Sequence, residues 1–297
     1  MTEPRGASRA VPLALAVAVA SISFAAIFFK NAAPTHPLVV SGTRLAIAAA
    51  VLALPLLRAV RAGRIDGRIF RAGVVCGVLY GIHFGTWVTS LSMTSVASSV
   101  TLVTATPLLL AGLALATGRD RPEARHWASI GLALVGLTAI GWADLSLSRE
   151  ALLGDALALG GAAAMAGYLQ IVRGLGKDLD VLAFGGLATS FGAISLFGAA
   201  LITGVPIAFA STASLGWTAL AALIPQLVGH NLLTWSLRHA TPTAVGIATV
   251  GEPVGATLLA WLWLDETVGG LILAGCAITL SAVFIALRGR AEVAPAG

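Results

Sequence analysis

Apolar positions in this chain fall into ten continuous runs separated by short stretches of Gly, Pro and charge: 11–29, 38–57, 72–92, 95–117, 126–142, 151–172, 181–203, 215–237, 240–264 and 267–287. A hydrocarbon slab of about 30 Å takes roughly twenty residues of α-helix, so each run predicts one membrane-crossing helix. Within the runs apolar residues are consecutive rather than alternating, which argues against the strands of a closed β-barrel. The first run follows Arg5 and Arg9, as the core of a secretory signal would. At about 19 residues it exceeds the roughly 7 to 15 of such a core, and further spans follow it. The expected fold is therefore an all-α membrane protein of ten transmembrane helices, called spans 1 to 10 below.

Composition agrees with that pattern. The 297 residues are 58% hydrophobic and 10% charged, against about 25% charged in soluble domains, and no length remains for a soluble catalytic domain. The 18 basic residues exceed the 13 acidic ones, but they lie between the apolar runs, so the excess speaks of membrane orientation and not of nucleic acid. With both termini in the cytoplasm, fifteen of them fall on that side, including Arg58, Arg61, Arg64, Arg68 and Arg71 after span 2. The opposite side holds only Lys30 and Arg149, and Arg44 lies inside span 2. This asymmetry follows the positive-inside rule and predicts cytoplasmic termini. Cys76 and Cys276 both sit within apolar runs, which predicts core thiols and no disulfide. No CxxC or Cys/His zinc spacing occurs, so neither a metal nor a cofactor is expected.

The two halves echo each other. Laying Pro107 on Pro253 brings Leu91 onto Leu237, Ser95 onto Thr241 and Thr106 onto Glu252, and in the following spans Gly131 to Gly136 matches Gly270 to Gly275. The expected units are 1–148 and 149–297, five helices each. Five is odd, so the second unit enters the membrane from the other side and the repeats are inverted, an architecture of transporters with a substrate site near the midplane.

Four stretches carry a resemblance to a known family. Span 4 reads Thr94-Ser-Val-Ala-Ser-Ser-Val-Thr-Leu-Val-Thr-Ala-Thr-Pro107, and span 9 reads Thr241-Pro-Thr-Ala-Val-Gly-Ile-Ala-Thr-Val-Gly-Glu252-Pro253. Span 9 closes on Trp263-Leu-Asp-Glu266, and span 2 carries Arg44 after Pro37. Along essentially its whole length the chain resembles the drug/metabolite transporter superfamily, in its ten-helix EamA-type branch. Span 4 departs from the pattern by ending in Gly118-Arg-Asp120, where an acidic Gly-Glu close is common. The resemblance implies an inner-membrane protein with cytoplasmic termini and a central cavity lined by spans 1, 3, 4, 6, 8 and 9. It also implies export or exchange of small metabolites such as amino acids. The related small multidrug exporters use a glutamate in their first helix; span 1 has none, so proton coupling by that route is not supported.

Ionisable groups inside a membrane are costly and are functional candidates by default. Glu252 lies about 18 Å into span 9 by helix rise, either in a cavity or in a structural pair or cap at Pro253. Tyr80, His83 and Trp87 share one face of span 3 at spacings of three and four, an aromatic surface with a switchable imidazole. Gln226, His230 and Thr234 repeat the device in span 8, and either set can instead serve as interhelical glue. Arg44 lies about 9 Å into span 2; snorkelling or an ion pair is one reading, contact with an anionic group the other. Lys30 and Arg173, at the ends of spans 1 and 6, read as interfacial anchors. Ser21, Ser23 and Phe24 in span 1, Thr104 in span 4, and Tyr168 and Gln170 in span 6 complete the candidate cavity set. Pro107 and Pro253 each remove a helical hydrogen bond and are either gates or mere curvature. The glycines of spans 5 and 10 predict a scaffold or a dimer face; a homodimer is compatible with the pattern, but one chain already holds both repeats.

The reading is a non-enzymatic transporter of small organic metabolites, most simply amino acids, working by alternating access in a lipid bilayer. A membrane-embedded enzyme would need paired carboxylates or HExxH, and neither is present. The remaining alternatives are an accessory or assembly subunit without a path, whose intramembrane polar groups would pair off around no cavity, and an exporter of drugs or other metabolites.

Overall fold

The computed structural model describes residues 5–94, 96–117, 124–142, 148–263 and 268–288. Within them the chain is helical, without strands: α1 (Arg5–Ser23), α2 (Ala25–Asn31), α3 (Pro37–Arg61), α4 (Gly67–Ser90), α5 (Val96–Val103), α6 (Thr106–Thr117) and α7 (Ala124–Trp142) in the first half. The second half holds α8 (Arg149–Gly174), α9 (Val181–Ile202), α10 (Thr212–Ala221), a π-helical stretch Ala222–His230, α11 (Asn231–Ser236), α12 (Pro242–Thr249), α13 (Glu252–Trp263) and α14 (Gly270–Arg288). Seven helices among the described residues are long and apolar enough to cross a bilayer: Ala10–Asn31, Pro37–Arg61, Gly67–Ser90, Arg149–Gly174, Val181–Ile202, Thr212–Ser236 and Pro242–Trp263. Spans 4, 5 and 10 are helical as well, and two of them carry shorter apolar stretches, Ser98–Leu110 and Gly270–Ala286. Ser95, Gly118 to Asp120, Asp265, Glu266 and the side chains of Arg5 and Arg9 lie outside the described residues.

Local chemistry explains where the helices begin and end. The side chains of Asp66, Ser148, Asp180 and Thr241 each accept a bond from the backbone N–H three residues on, capping α4, α8, α9 and α12. After α3 and α9 the chain turns on Gly63 (φ 67°) and Gly204 (φ 71°), and Arg64 N–H and Val205 N–H reach back to Ala59 O and Ala200 O. This is the Schellman close, which needs a left-handed residue that glycine supplies cheaply. At that end of α3, Arg64 pairs with Asp180 at 2.6 Å and Arg68 donates to Gly174 O. At the other end of α3, Ala210 N–H donates to Thr35 Oγ1. Connections from both halves are thus tied together at each end of the bundle.

The helices pack across halves: α3 lies against α9, α7 against α14, α4 against α8 and α9, and α1 against the π-helical stretch, α11 and α13. Large apolar side chains such as Leu13, Leu54, Ile194, Leu201 and Leu262 are exposed on the outside, as a lipid-facing surface requires, while Ser, Thr, His, Gln, Glu and Arg side chains are buried inside. The α7–α14 crossing is set by glycine. A Cβ on Gly136 would lie 2.8 Å from Gly275 O and meet Thr279, and a Cβ on Gly275 would lie 2.7 Å from Gly136 O. These two glycines are therefore used within the chain, whereas Gly131 faces open space. Gly136→Val should lower stability by roughly 1–3 kcal/mol through overpacking, and Gly131→Ala should not. Thermal unfolding of the detergent-purified variants checks the contrast.

Candidate functional site

Among the described residues, four interruptions of regular helix occur within the spans. The span 1 helix breaks at Phe24, between α1 and α2. Span 4 breaks at Thr104 and Ala105, and span 9 at Val250 and Gly251, where bonds reach back three residues instead of four: Ala105 N to Leu102 O and Val250 N to Ile247 O, both 3.1 Å. Pro107 and Pro253 are not in helix interiors, as the sequence reading had them. Each is the second residue of a new helix, α6 or α13, a position where a missing N–H costs nothing. In span 8 the regular spacing also fails. Ala222–His230 is π-helical and contains Pro225, whose ring and missing N–H disfavour α-helical bonding to the preceding turn. The even i, i+4, i+8 stripe expected for Gln226, His230 and Thr234 is altered accordingly.

Between these interruptions lies a cavity of about 40 Å³, room for on the order of one to three waters. Its walls come from α1 and α2 (Ile22, Ala25), α4 (His83, Trp87), the α5–α6 break (Val103, Thr104, Thr106), α8 (Met165, Leu169), the π-helical stretch and α11 (His230, Leu233), and the α12–α13 break (Thr249, Glu252). Five of the sequence candidates, His83, Trp87, Thr104, His230 and Glu252, thus meet in one place.

Their geometry constrains what the cavity can do. His83 Nδ1 lies 2.9 Å from Gly161 O; a carbonyl only accepts, so in the neutral ring Nδ1 carries the proton and Nε2 keeps a free lone pair. The His83 ring stacks on Trp87 at 5.9 Å and meets His230 edge-on at 6.4 Å. Glu252 is 9% exposed, and its carboxylate makes no hydrogen bond or ion pair among the described residues. Thr104 and Thr249 spend their hydroxyl protons on carbonyls three or four residues back, and Thr106, at the start of α6, spends its on Val103 O at the end of α5. The site therefore combines an unpaired acid, two imidazoles and an indole in apolar walls.

The other candidates lie outside the lining. Tyr80 stacks on Tyr168 at 4.3 Å, Tyr168 hydrogen-bonds Thr234 at 3.0 Å, and Gln226 sits beside Tyr80 with its Oε1 unpartnered. This polar layer touches the cavity through the Tyr80–His230 ring contact at 5.8 Å. Phe24, at the α1–α2 break, is half-buried between Phe28 and Trp263. Gln170 is half-buried on α8, off the cavity. Arg44 neither snorkels nor forms an ion pair: it is 0% exposed, and its guanidinium lies over the rings of Phe84 (4.1 Å) and Phe29 (5.2 Å). Sequence reasoning passed over Thr249, Asp155, which accepts a bond from Ser98 at 2.8 Å, and the apolar wall residues. Thr249 had a signal in its place just before the break; Met165, Leu169 and Leu233 had none that separates them from core.

The Tyr168–Thr234 bond is one interhelical bond in a buried layer, and such bonds in membrane proteins average about 0.6 kcal/mol. Tyr168→Phe should accordingly lower stability by no more than about 1 kcal/mol, measured by the same unfolding assay.

Comparison with known proteins adds three findings. The profile of the EamA-like transporter family matches residues 9–142 and again 152–288. No curated protein matches the sequence. A solved structure titled "Crystal structure of protein" superposes with a TM-score of 0.75 at 18% identity, covering 94% of this chain and 96% of its own; at that identity the likeness speaks of the fold alone.

Proposed function

Because this chain belongs to the EamA-like transporter family, a membrane transporter of the drug/metabolite type, we propose that it moves small organic metabolites, amino acids first among them, through the cavity at His83, Trp87, His230 and Glu252. The observation that carries this reading is the coincidence of helix breaks and unpaired chemistry. The α5–α6 and α12–α13 breaks border the same cavity as the Glu252 carboxylate, and unwound helix near a midplane site is how transporters coordinate their substrates. An accessory subunit without a path would pair off its buried polar groups, and among the described residues Glu252 and Arg44 have no hydrogen-bond or ion-pair partner.

In this account the chain crosses the inner membrane ten times as two inverted five-helix repeats, 1–148 and 149–297, with both termini in the cytoplasm. The excess of Lys and Arg on one side supports the orientation, and the packing of α3 on α9 and α7 on α14 supports a repeat relation. His83, Trp87, Thr104, His230 and Glu252 contact substrate. Tyr80, Tyr168 and Gln226 back the wall, Phe24 flanks it at the α1–α2 break, and Gln170 is the most peripheral of the set. Pro107 and Pro253 mark the two hinges, because an interrupted helix can tilt its halves independently where a continuous one must bend. One chain supplies the whole cavity, so transport needs no second copy.

Uptake and counterflow in proteoliposomes with a panel of labelled amino acids, with and without a proton gradient, test the reading. The expected result is saturable movement of at least one amino acid, reduced about 10²-fold or more in Glu252→Gln and His83→Ala if each group meets the substrate in an otherwise desolvated site. Movement that survives both substitutions would make these residues structural, and a panel that does not move would remove amino acids from the substrate list.

A further inference from the structure

One costly feature inside the bundle is not used by the cavity as it stands. Arg44 is fully buried on α3, and its Nε, Nη1 and Nη2 all lack a hydrogen-bond partner. The ring faces of Phe84 and Phe29 lie against its charge, which offsets part of the cost of burial but satisfies none of the five N–H donors. The same two rings lean on Trp87, with Phe29 at 5.6 Å and Phe84 at 6.5 Å between centroids. The Trp87 Nε1–H is also buried without an acceptor, and Trp87 lines the cavity. Donors therefore gather beside the cavity with no acceptor in hydrogen-bond reach among the described residues. Glu252, an acceptor without a hydrogen-bond donor among the described residues, lines the same cavity as Trp87.

A residue kept only for stability would not be left this way, since an unpaired buried charge is destabilising and an apolar side chain of similar size is the better filler. The arrangement lacks one thing: a group carrying acceptor oxygens and negative charge. We propose that Arg44, with the indole N–H of Trp87, is the recognition point for a carboxylate on the transported molecule. A substrate that also carries an ammonium group has Glu252 as its counterpart, so the chemical class is a small zwitterion or organic acid rather than an amine or a neutral compound. A carboxylate matches the planar fork of a guanidinium with two parallel bonds, which an ammonium side chain cannot reproduce. The Phe29 and Phe84 rings hold the guanidinium beside the cavity, so engagement includes a shift of the side chain or of these rings. This inference rests on the transporter reading of the cavity, but it makes a separate claim about which atom of the ligand is read.

The test uses the purified full-length protein and three probes built on one side chain: phenylalanine, its amide, and phenethylamine, the amine left when the carboxylate is removed; the leucine series serves as a second set. Ligand-induced thermal stabilisation gives binding, and proteoliposome uptake gives movement. Wild type should bind at least one acid about ten-fold or more tightly than its amide and amine. Arg44→Met should lose that preference while its ligand-free unfolding temperature stays unchanged or rises, a result that a structural role for Arg44 would reverse. Arg44→Lys should recover part of the binding, and Trp87→Phe, which keeps a ring and removes the N–H, should narrow the gap between acid and amide. Equal binding of acid, amide and amine, wild-type preference in Arg44→Met, or no acid binding to wild type would each overturn the proposal. The transporter reading falls separately: binding of an acid without any uptake sinks transport and leaves the Arg44 assignment standing, whereas uptake of the amine or amide as fast as the acid does the opposite.

Discussion

Hydrocarbon offers no hydrogen-bond partner, so a backbone group released from a helix inside a bilayer must be satisfied within the protein. That constraint decides where this chain can break its helices. The interruptions at Phe24, Thr104 and Ala105, and Val250 and Gly251 face other helices, and side chains there bond backbone carbonyls: Thr106 Oγ1 donates to Val103 O, which Pro107 leaves without its helical donor, and to Ala162 O of α8, and Ser23 Oγ donates to Val19 O and to Glu252 O of α13. Ser23 can reach the span 9 break because Gly255 stands opposite it, where a Cβ would collide with the Ser23 side chain. The breaks, the close approach of α1 to α13 and the cavity are thus one arrangement. A continuous α13 would leave no gap at Glu252, and a bulkier residue at 255 would push α1 away.

The polar inventory follows the same logic in two grades. Most buried hydroxyls are spent locally, bonding a carbonyl three or four residues back, as Ser21, Thr189 and Thr218 do. They cost little and mean little for function. The groups around the cavity behave differently. His83 is fixed by Gly161 through one nitrogen, while among the described residues neither the Glu252 carboxylate nor the Arg44 guanidinium has a hydrogen-bond partner. The hydroxyls of Thr101, Ser129 and Thr279 are also buried without a partner among the described residues, but they are neutral; leaving charged groups open at the cavity places the larger electrostatic cost there.

How much of this is legible in the sequence depends on the physical signal involved. The apolar runs announce a membrane protein because length and composition alone report burial in lipid. His83, Trp87, His230 and Glu252 were legible because polar side chains are rare inside such runs. Three things were not. Pro107 and Pro253 signal a disturbed helix, but only coordinates distinguish a kink from a break with proline at the start of a new helix. The π-helical stretch around Pro225 changes the faces of Gln226 and Thr234, turning them toward the Tyr80–Tyr168 layer, and periodicity arguments assume the regular spacing that it violates. Arg44 was visible as an oddity, yet whether it snorkels, pairs or waits depends on what surrounds its tip, which a one-dimensional pattern does not contain.

The central claim is that one cavity, bounded by the two helix breaks, opens alternately to the two sides of the membrane. Its most direct test replaces Cys76 and Cys276, places single cysteines at Thr104 and Thr249, and labels them with a membrane-impermeant thiol reagent applied to one side or the other of oriented vesicles. The account predicts that each position reacts from both sides, at rates that shift in opposite directions when a transported molecule is present. Labelling from one side only, or none at either position, would contradict it.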